Sequence, residues 1–181
     1  KGIKVIPCYY KKDYPEWSDR GDGPGAPVAV HLPNSPVIAT GKRDGSKIRL
    51  PNGNYLEETA SYYVMIETKT GGYTPALITM KSTQLNVSKK WNSMMKTIQI
   101  PDGKGGFAIP PMHGVVYNLA STLQKNDKGS WYGWVVTQDR IMGQNDKTLY
   151  LSAKDFAGNV SKGSVQTKAD VEETSSDSTP Y

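Results

Sequence analysis

A mainly β domain is predicted from this sequence, on three observations. The chain holds 18 Gly and 12 Pro with only 36% hydrophobic residues, a composition suited to short strands and many turns rather than to a helical bundle. Two pairs of segments alternate apolar and polar residues on either side of a Gly-containing turn, as β-hairpins do. Residues 3–12 are rich in β-branched and aromatic types, which favour a pleated surface. A length of 181 residues suits one domain with a real core. We expect that domain over 1–169, with a long loop at about 18–53 and a disordered acidic tail over 170–181.

The elements follow in order. Residues 3–12 read as a first strand, with Pro7 at an edge or bulge. The chain opens in this strand without an initiating Met, so further residues are expected before Lys1. Between 18 and 53 Pro24, Pro27, Pro33 and Pro36 break any long element, leaving a loop with extended pieces at 28–31 and 36–40. Residues 60–69 and 73–81 form the first hairpin, with Tyr62, Val64 and Ile66 on one face, Tyr63, Met65 and Glu67 on the other, and Thr70-Gly71-Gly72 as the turn. Ser82 is placed to cap a helix over about 82–98, whose apolar stripe is Leu85, Trp91, Met95 and Ile98. Asp102-Gly103-Lys104-Gly105-Gly106 reads as a flexible loop, because it lacks the Gly-Lys-Ser/Thr ending of a phosphate loop. A second hairpin covers 114–125 and 130–141, turning at Asn126-Asp127-Lys128-Gly129. A terminal helix is expected over 146–162, burying Leu149, Ala153, Phe156, Ala157 and Val160. Five strands with a helix between the third and fourth, then a C-terminal helix, is the order of an OB-fold-like five-stranded barrel, an architecture that binds oligonucleotides.

Charge and residue types narrow the function. The formal charge is +5, but Asp170, Glu172, Glu173 and Asp177 concentrate four acids in the last segment, leaving 22 basic against 13 acidic residues over 1–169. A basic body with an acidic end suits a polyanionic partner, and a solvated surface with a polar tail fits equally well. No apolar run nears the roughly 20 residues of a membrane span, so no membrane partner is expected. The single Cys8 excludes an internal disulfide and, beside Val5 and Ile6, is expected to be a buried strand residue. No nucleophile elbow, metal-spaced His pair or separated carboxylate pair is present, so neither an enzyme nor a metal or cofactor site is expected. The chain is instead rich in Tyr (11) and Trp (4), interleaved with Lys and Arg. Single strands are held by ring stacking and by cations along the phosphates. The candidates for that task are Lys11, Lys12, Tyr14, Trp17 and Arg20 in and after the first strand, and Arg43, Lys47 and Arg49 in the long loop. Lys89 and Lys90 on the helix, and Lys125, Lys128, Trp131 and Tyr132 at the second hairpin, complete the set. Trp131 and Trp134 face opposite ways in a strand, Trp134 joining the core with Val136 and Trp131 exposed or half-exposed.

Three segments carry a family likeness. They are Val5-Ile6-Pro7-Cys8-Tyr9-Tyr10-Lys11-Lys12 with Glu16-Trp17, Lys89-Lys90-Trp91-Asn92-Ser93-Met94, and Gln124-Lys125-Asn126-Asp127-Lys128-Gly129-Ser130-Trp131-Tyr132. Over residues up to about 165 the chain resembles the tailed-bacteriophage single-stranded-DNA-binding proteins with an OB-type core. The resemblance implies binding with little sequence preference during DNA replication, recombination or repair, in the cytoplasm of an infected bacterium. It also implies contact of the acidic tail with phage replication proteins, and self-association as a homodimer is compatible with it. Two other classes compete: a phage structural or assembly protein, which can also be rich in Tyr, Gly and Pro, and an enzyme domain without its catalytic partner.

Overall fold

The computed structural model describes residues 2–19, 26–127 and 129–165. Its spine is β1 (Ile3–Trp17), a 15-residue strand that runs through the whole sheet. It passes well beyond the predicted end at 12, because Pro15 sits where β1 pairs with a short edge strand and Asp13, Tyr14 and Glu16 are buried. The region 18–53 is not a single loop. It holds β2 (Ala29–His31), a one-turn helix α1 (Pro36–Thr40), β3 (Lys42–Asp44) and β4 (Lys47–Arg49). The extended piece predicted at 36–40 is helical, since Pro36 stands at the first helical position where its fixed φ is an advantage and its missing N–H costs nothing.

β5 (Tyr55–Glu57) and β6 (Thr59–Glu67) continue one line along β1, since Trp17↔Tyr55 and Glu16↔Leu56 hold the same register as Asp13↔Thr59 and Lys12↔Ala60. β7 (Tyr73–Lys81) returns antiparallel to β6 through a turn in which Gly71 has φ 84°. Ser82 does not cap the following helix. It has φ 52°, turning the chain sharply at a cost of roughly 1–2 kcal/mol for a residue with a Cβ, and its side chain makes no cap bond. One 3₁₀ turn later comes α2 (Leu85–Thr97). β8 (Ile100–Pro101) and β9 (Phe107–Ala108) form a small separate hairpin. Its tip is ordered by Asp102, whose Oδ1 accepts the N–H groups of Lys104 (2.8 Å) and Gly106 (2.9 Å), rather than being a free loop. The second long hairpin, β10 (Val115–Asn126) and β11 (Gly129–Ile141), and the terminal α3 (Lys147–Ser161) lie within a residue or so of their predicted places.

The five long strands pair in the order β7–β6–β1–β10–β11. Numbered by chain order this is 3-2-1-4-5, the OB arrangement opened along one seam, and the mainly β sheet curls into a half-barrel. No ladder joins β7 to β11. α2 lies over that seam, touching both strands, and its Gln84 neighbour accepts the Trp134 N–H through Oε1 at 3.1 Å. Trp91 is the plug. It is fully buried, stacks on Tyr62 at 4.4 Å between ring centroids and meets Tyr117 edge-on at 5.6 Å. Val5, Val64, Met80, Met95, Val115 and Leu119 surround it, with Trp134 and Val136 half-buried against the same core. The opposite face of the sheet is closed by α3, whose Ala153, Leu149, Phe156 and Ala157 cover Ile6, Cys8, Met65 and Val116. Cys8 is thus a packing residue, and burial pushes its thiol up to about 12, far from a reactive thiolate at neutral pH. A third, smaller core of Tyr14, Ile48, Leu50 and Leu56 lies under the second half of β1.

Trp91→Ala is expected to destabilise the protein by about 3–5 kcal/mol, because a rigid ring sandwich cannot collapse into the space left by an indole. Urea unfolding followed by circular dichroism measures it; a loss of less than about 1 kcal/mol, the scale of a surface substitution, would mean that α2 does not plug the seam.

Candidate nucleic-acid interface

The second half of β1 builds a sheet of its own with β5, β4 and β3, and its two faces differ sharply. One face carries Tyr14, Ile48 and Leu56 and is buried. The other follows from the registers Trp17↔Tyr55, Arg49↔Tyr55, Lys47↔Glu57 and Lys42↔Arg49, which align Trp17, Tyr55, Lys47, Arg49 and Lys42 on one surface. Lys81 at the end of β7 reaches the same surface, with its ammonium 5.7 Å from the Trp17 ring centroid and 2.9 Å from Glu57 Oε2. Lys47 sits 3.6 Å over the Tyr55 ring and the Arg49 guanidinium 5.5 Å from it. Two half-buried rings and four cations therefore share one face, with the Trp17 Nε1 itself buried. Asp19 and Asp44, at 3.2 and 3.4 Å from Arg49, and Glu57 moderate its charge.

The sequence candidates divide between this face and two other places. Trp17, Lys47 and Arg49 are on it. Tyr14 is not available for stacking: it is a core residue, because period two turns it to the buried side of β1. Arg43 opposes Ile48 and so belongs to the other side of the small sheet, although it is exposed. Lys11 and Lys12 are half-buried and held by acids, Lys11 to Asp13 at 3.3 Å and Lys12 to Glu58 at 2.7 Å. The Glu58 bond raises the Lys12 ammonium above its usual range. Lys89 and Lys90 are exposed on the outer side of α2. Lys125, Tyr132 and half-buried Trp131 lie at the far end of the β10–β11 hairpin, beyond the first residues of β1. Trp17, at the other end of the 15-residue β1, is separated from Ile3 by a contour of about 45 Å, so these are separate groups. Arg20 and Lys128, and the acidic segment 170–181, fall outside the described residues.

Tyr55, Lys42 and Lys81 were missed in the sequence. The strands that present Tyr55 and Lys42 are three residues long, too short to show a period, and Lys81 comes from another hairpin. Glu16 was missed as well. It is buried, with Oε1 accepting from Asn54 (2.6 Å) and Asn52 (3.2 Å) and Oε2 meeting His31 Nε2 at 2.7 Å, and so ties β1 to β2 and to the turn before β5. Asn54 above all, then His31 and Asn52, holds the Glu16 carboxyl below its usual range against the opposing effect of burial. Among the described residues no group of three or more His, Cys, Asp or Glu side chains is placed to hold a metal ion, and no helix is long and apolar enough to cross a membrane.

Residues 1–166 match the family model of the Pam3 phage gp34-like protein. The chain belongs to that family. It is thereby a phage protein, as the sequence resemblance implied, while the family description states no activity. No curated protein and no solved structure gives a significant match.

The Glu16 network makes a pH prediction. A carboxyl whose folded pKa is depressed contributes stability that is complete above its unfolded pKa and is lost as pH falls through the folded value. Glu16→Gln should therefore be less stable than the parent at neutral pH, with the difference shrinking from the usual glutamate range downward. Unfolding midpoints in urea across an acid series check this. A gap that stays constant with pH would show that the Glu16 charge contributes nothing.

Proposed function

We propose that this phage protein binds single-stranded DNA, with little sequence preference and without catalysis, in the cytoplasm of the infected host. The observation that carries the reading is the Trp17–Tyr55 pair of half-buried rings flanked by Lys42, Lys47, Arg49 and Lys81 on one sheet face. Rings give stacking surfaces that accept any base, and cations at strand spacing can follow a phosphate backbone. The ion pairs of Arg49 are solvent-exposed, and such pairs hold by only about 0–1 kcal/mol, so exchanging a carboxylate for a phosphate there costs little. Lys47 lies on Tyr55 and can swing off it for the same reason. The OB-like strand order supports the reading as well, because in that architecture the loop after the first strand flanks the oligonucleotide site. Here that connection has grown into β2 to β5. Lys89 and Lys90, on the helix that follows Lys81, offer a continuation toward the seam. Contact of the acidic tail with replication proteins belongs to the same proposal.

A second reading, a structural or assembly protein of the phage particle, is favoured by one feature: Leu123 and Tyr132 are 63% and 73% exposed on a projecting hairpin. Binding separates the two. A fluorescent oligothymidine should bind saturably, with affinity falling steeply as salt rises, and duplex should compete poorly because its base faces are covered. Tyr55→Ala is expected to cost roughly 1–3 kcal/mol of affinity with the salt slope unchanged. Arg49→Ala should lower affinity and reduce the slope by about 0.7. Equal competition by duplex, or a Tyr55→Ala variant that binds like the parent at matched stability, rejects the proposed site. Absence of saturable binding at moderate salt leaves the assembly reading.

A further inference from the structure

Four strands have a single neighbour in the sheet among the described residues: β2, β3, β7 and β11. An unpaired edge is a template for another strand, and proteins blunt such edges by making them short, charged or interrupted by Pro. β2 and β3 are three residues each, and β3 reads Lys-Arg-Asp. β7 carries Pro75 and ends in Lys81. β11 has none of these devices along most of its length. It is 13 residues long, and from Gly129 to Gln138 it reads Gly-Ser-Trp-Tyr-Gly-Trp-Val-Val-Thr-Gln, without charge or Pro.

The open part of this edge can be located. The Trp134 N–H points away from β10, since it bonds to Gln84 Oε1. Backbone groups along a strand alternate in direction, so those of Ser130 and Tyr132 point outward too, while Trp131 and Gly133 bond inward to β10. Gln84 thus occupies the edge at Trp134 and, among the described residues, leaves Ser130 and Tyr132 free. Tyr132 and its cross-strand partner Leu123 are also the most exposed apolar pair in the sheet, at 73% and 63%.

We propose that the β11 edge pairs antiparallel with β11 of a second copy, about a two-fold axis at Trp131, joining two half-barrels into one continuous sheet. The occupant follows from the length of the free stretch. With the axis at Trp131, Ser130 of each copy opposes Tyr132 of the other, and each such pair exchanges two backbone hydrogen bonds. Every outward group of Ser130 and Tyr132 is then satisfied, and because β11 starts at Gly129, which falls opposite Gly133 of the other copy, the partner strand ends just short of the Gln84 block. Leu123 and Tyr132 of one copy fall in line with Ser130 of the other on the same face. The centre carries no charge, so two molecules of net charge +5 can meet there without like charges in contact. This pairing does not depend on nucleic-acid binding, because Trp17 and Tyr55 lie at the other end of β1.

Sedimentation equilibrium of the full chain over a concentration series tests it. The expected result is a reversible shift from the 19.8 kDa monomer to a species of twice that mass. Tyr132→Pro removes an outward N–H from each copy, hence two of the intermolecular bonds, and should weaken the dimer by about tenfold or more. It should leave the fold intact, because Pro is tolerated on an edge strand where its N–H faces outward. Ser130→Lys, which places charge at the contact, should weaken it as well. Tyr132→Phe, which keeps the backbone bonds, should not. A parent chain that stays monomeric into the high-micromolar range overturns the proposal. So does a dimer that survives both Tyr132→Pro and Ser130→Lys in variants whose circular dichroism matches the parent.

Discussion

β1 is paired along one edge for nearly its whole length and at both ends of the other, and this shared strand is the constraint on which the rest of the structure depends. One edge takes β10 and then β2; the other takes β6 and then β5 without a change of register. A strand shared in this way ties the long hairpins and the short strands to one backbone, so its neighbours are built together. It also buries side chains on both sides. Val5 enters the barrel core under Trp91, while Ile6 and Cys8 enter the layer under α3. The register irregularity between Pro7 and Tyr9 lets the strand bend where Pro7 cannot donate.

The barrel and the small sheet are therefore extensions of one ladder. The open seam between β7 and β11 is the counterpart of this arrangement. The sheet curls but does not close, and α2 fills the gap with a buried Trp rather than with a strand ladder. Tyr62 links the two devices: its ring stacks on Trp91 and its hydroxyl meets the Ser88 Oγ at 2.8 Å and carbonyl at 3.0 Å, fixing α2 against β6. The Tyr62 hydroxyl is held above its usual pKa range by this burial, so it stays a neutral donor under ordinary conditions.

Much of the fold was legible in the sequence because its long elements declare themselves. The alternation through Tyr62, Val64 and Ile66, the Gly71-Gly72 turn, the Trp91 and Met95 stripe and the Ala153–Phe156 face all survive as read. The small sheet was hidden because β2 to β5 each span three residues and their pairing is between distant segments. The candidate face was legible only in part for the same reason. Trp17, Lys47 and Arg49 could be named from local composition, but their assembly with Tyr55 and Lys81 is set by cross-strand register. Tyr14 shows the opposite failure. Its neighbourhood of Lys and Tyr reads as a wet surface, yet alternation within the extended β1 sends it into a core.

The proposed nucleic-acid face lies on the small sheet, so the direct measurement is backbone hydrogen exchange with and without oligothymidine. Binding there should slow exchange in 42–57 and at the end of β1 around Trp17, with smaller changes along α2, and leave the 129–133 edge unaffected at a fixed protein concentration. Slowing confined to the β10–β11 tip, or no change anywhere in 42–57 under saturating oligonucleotide, would contradict it.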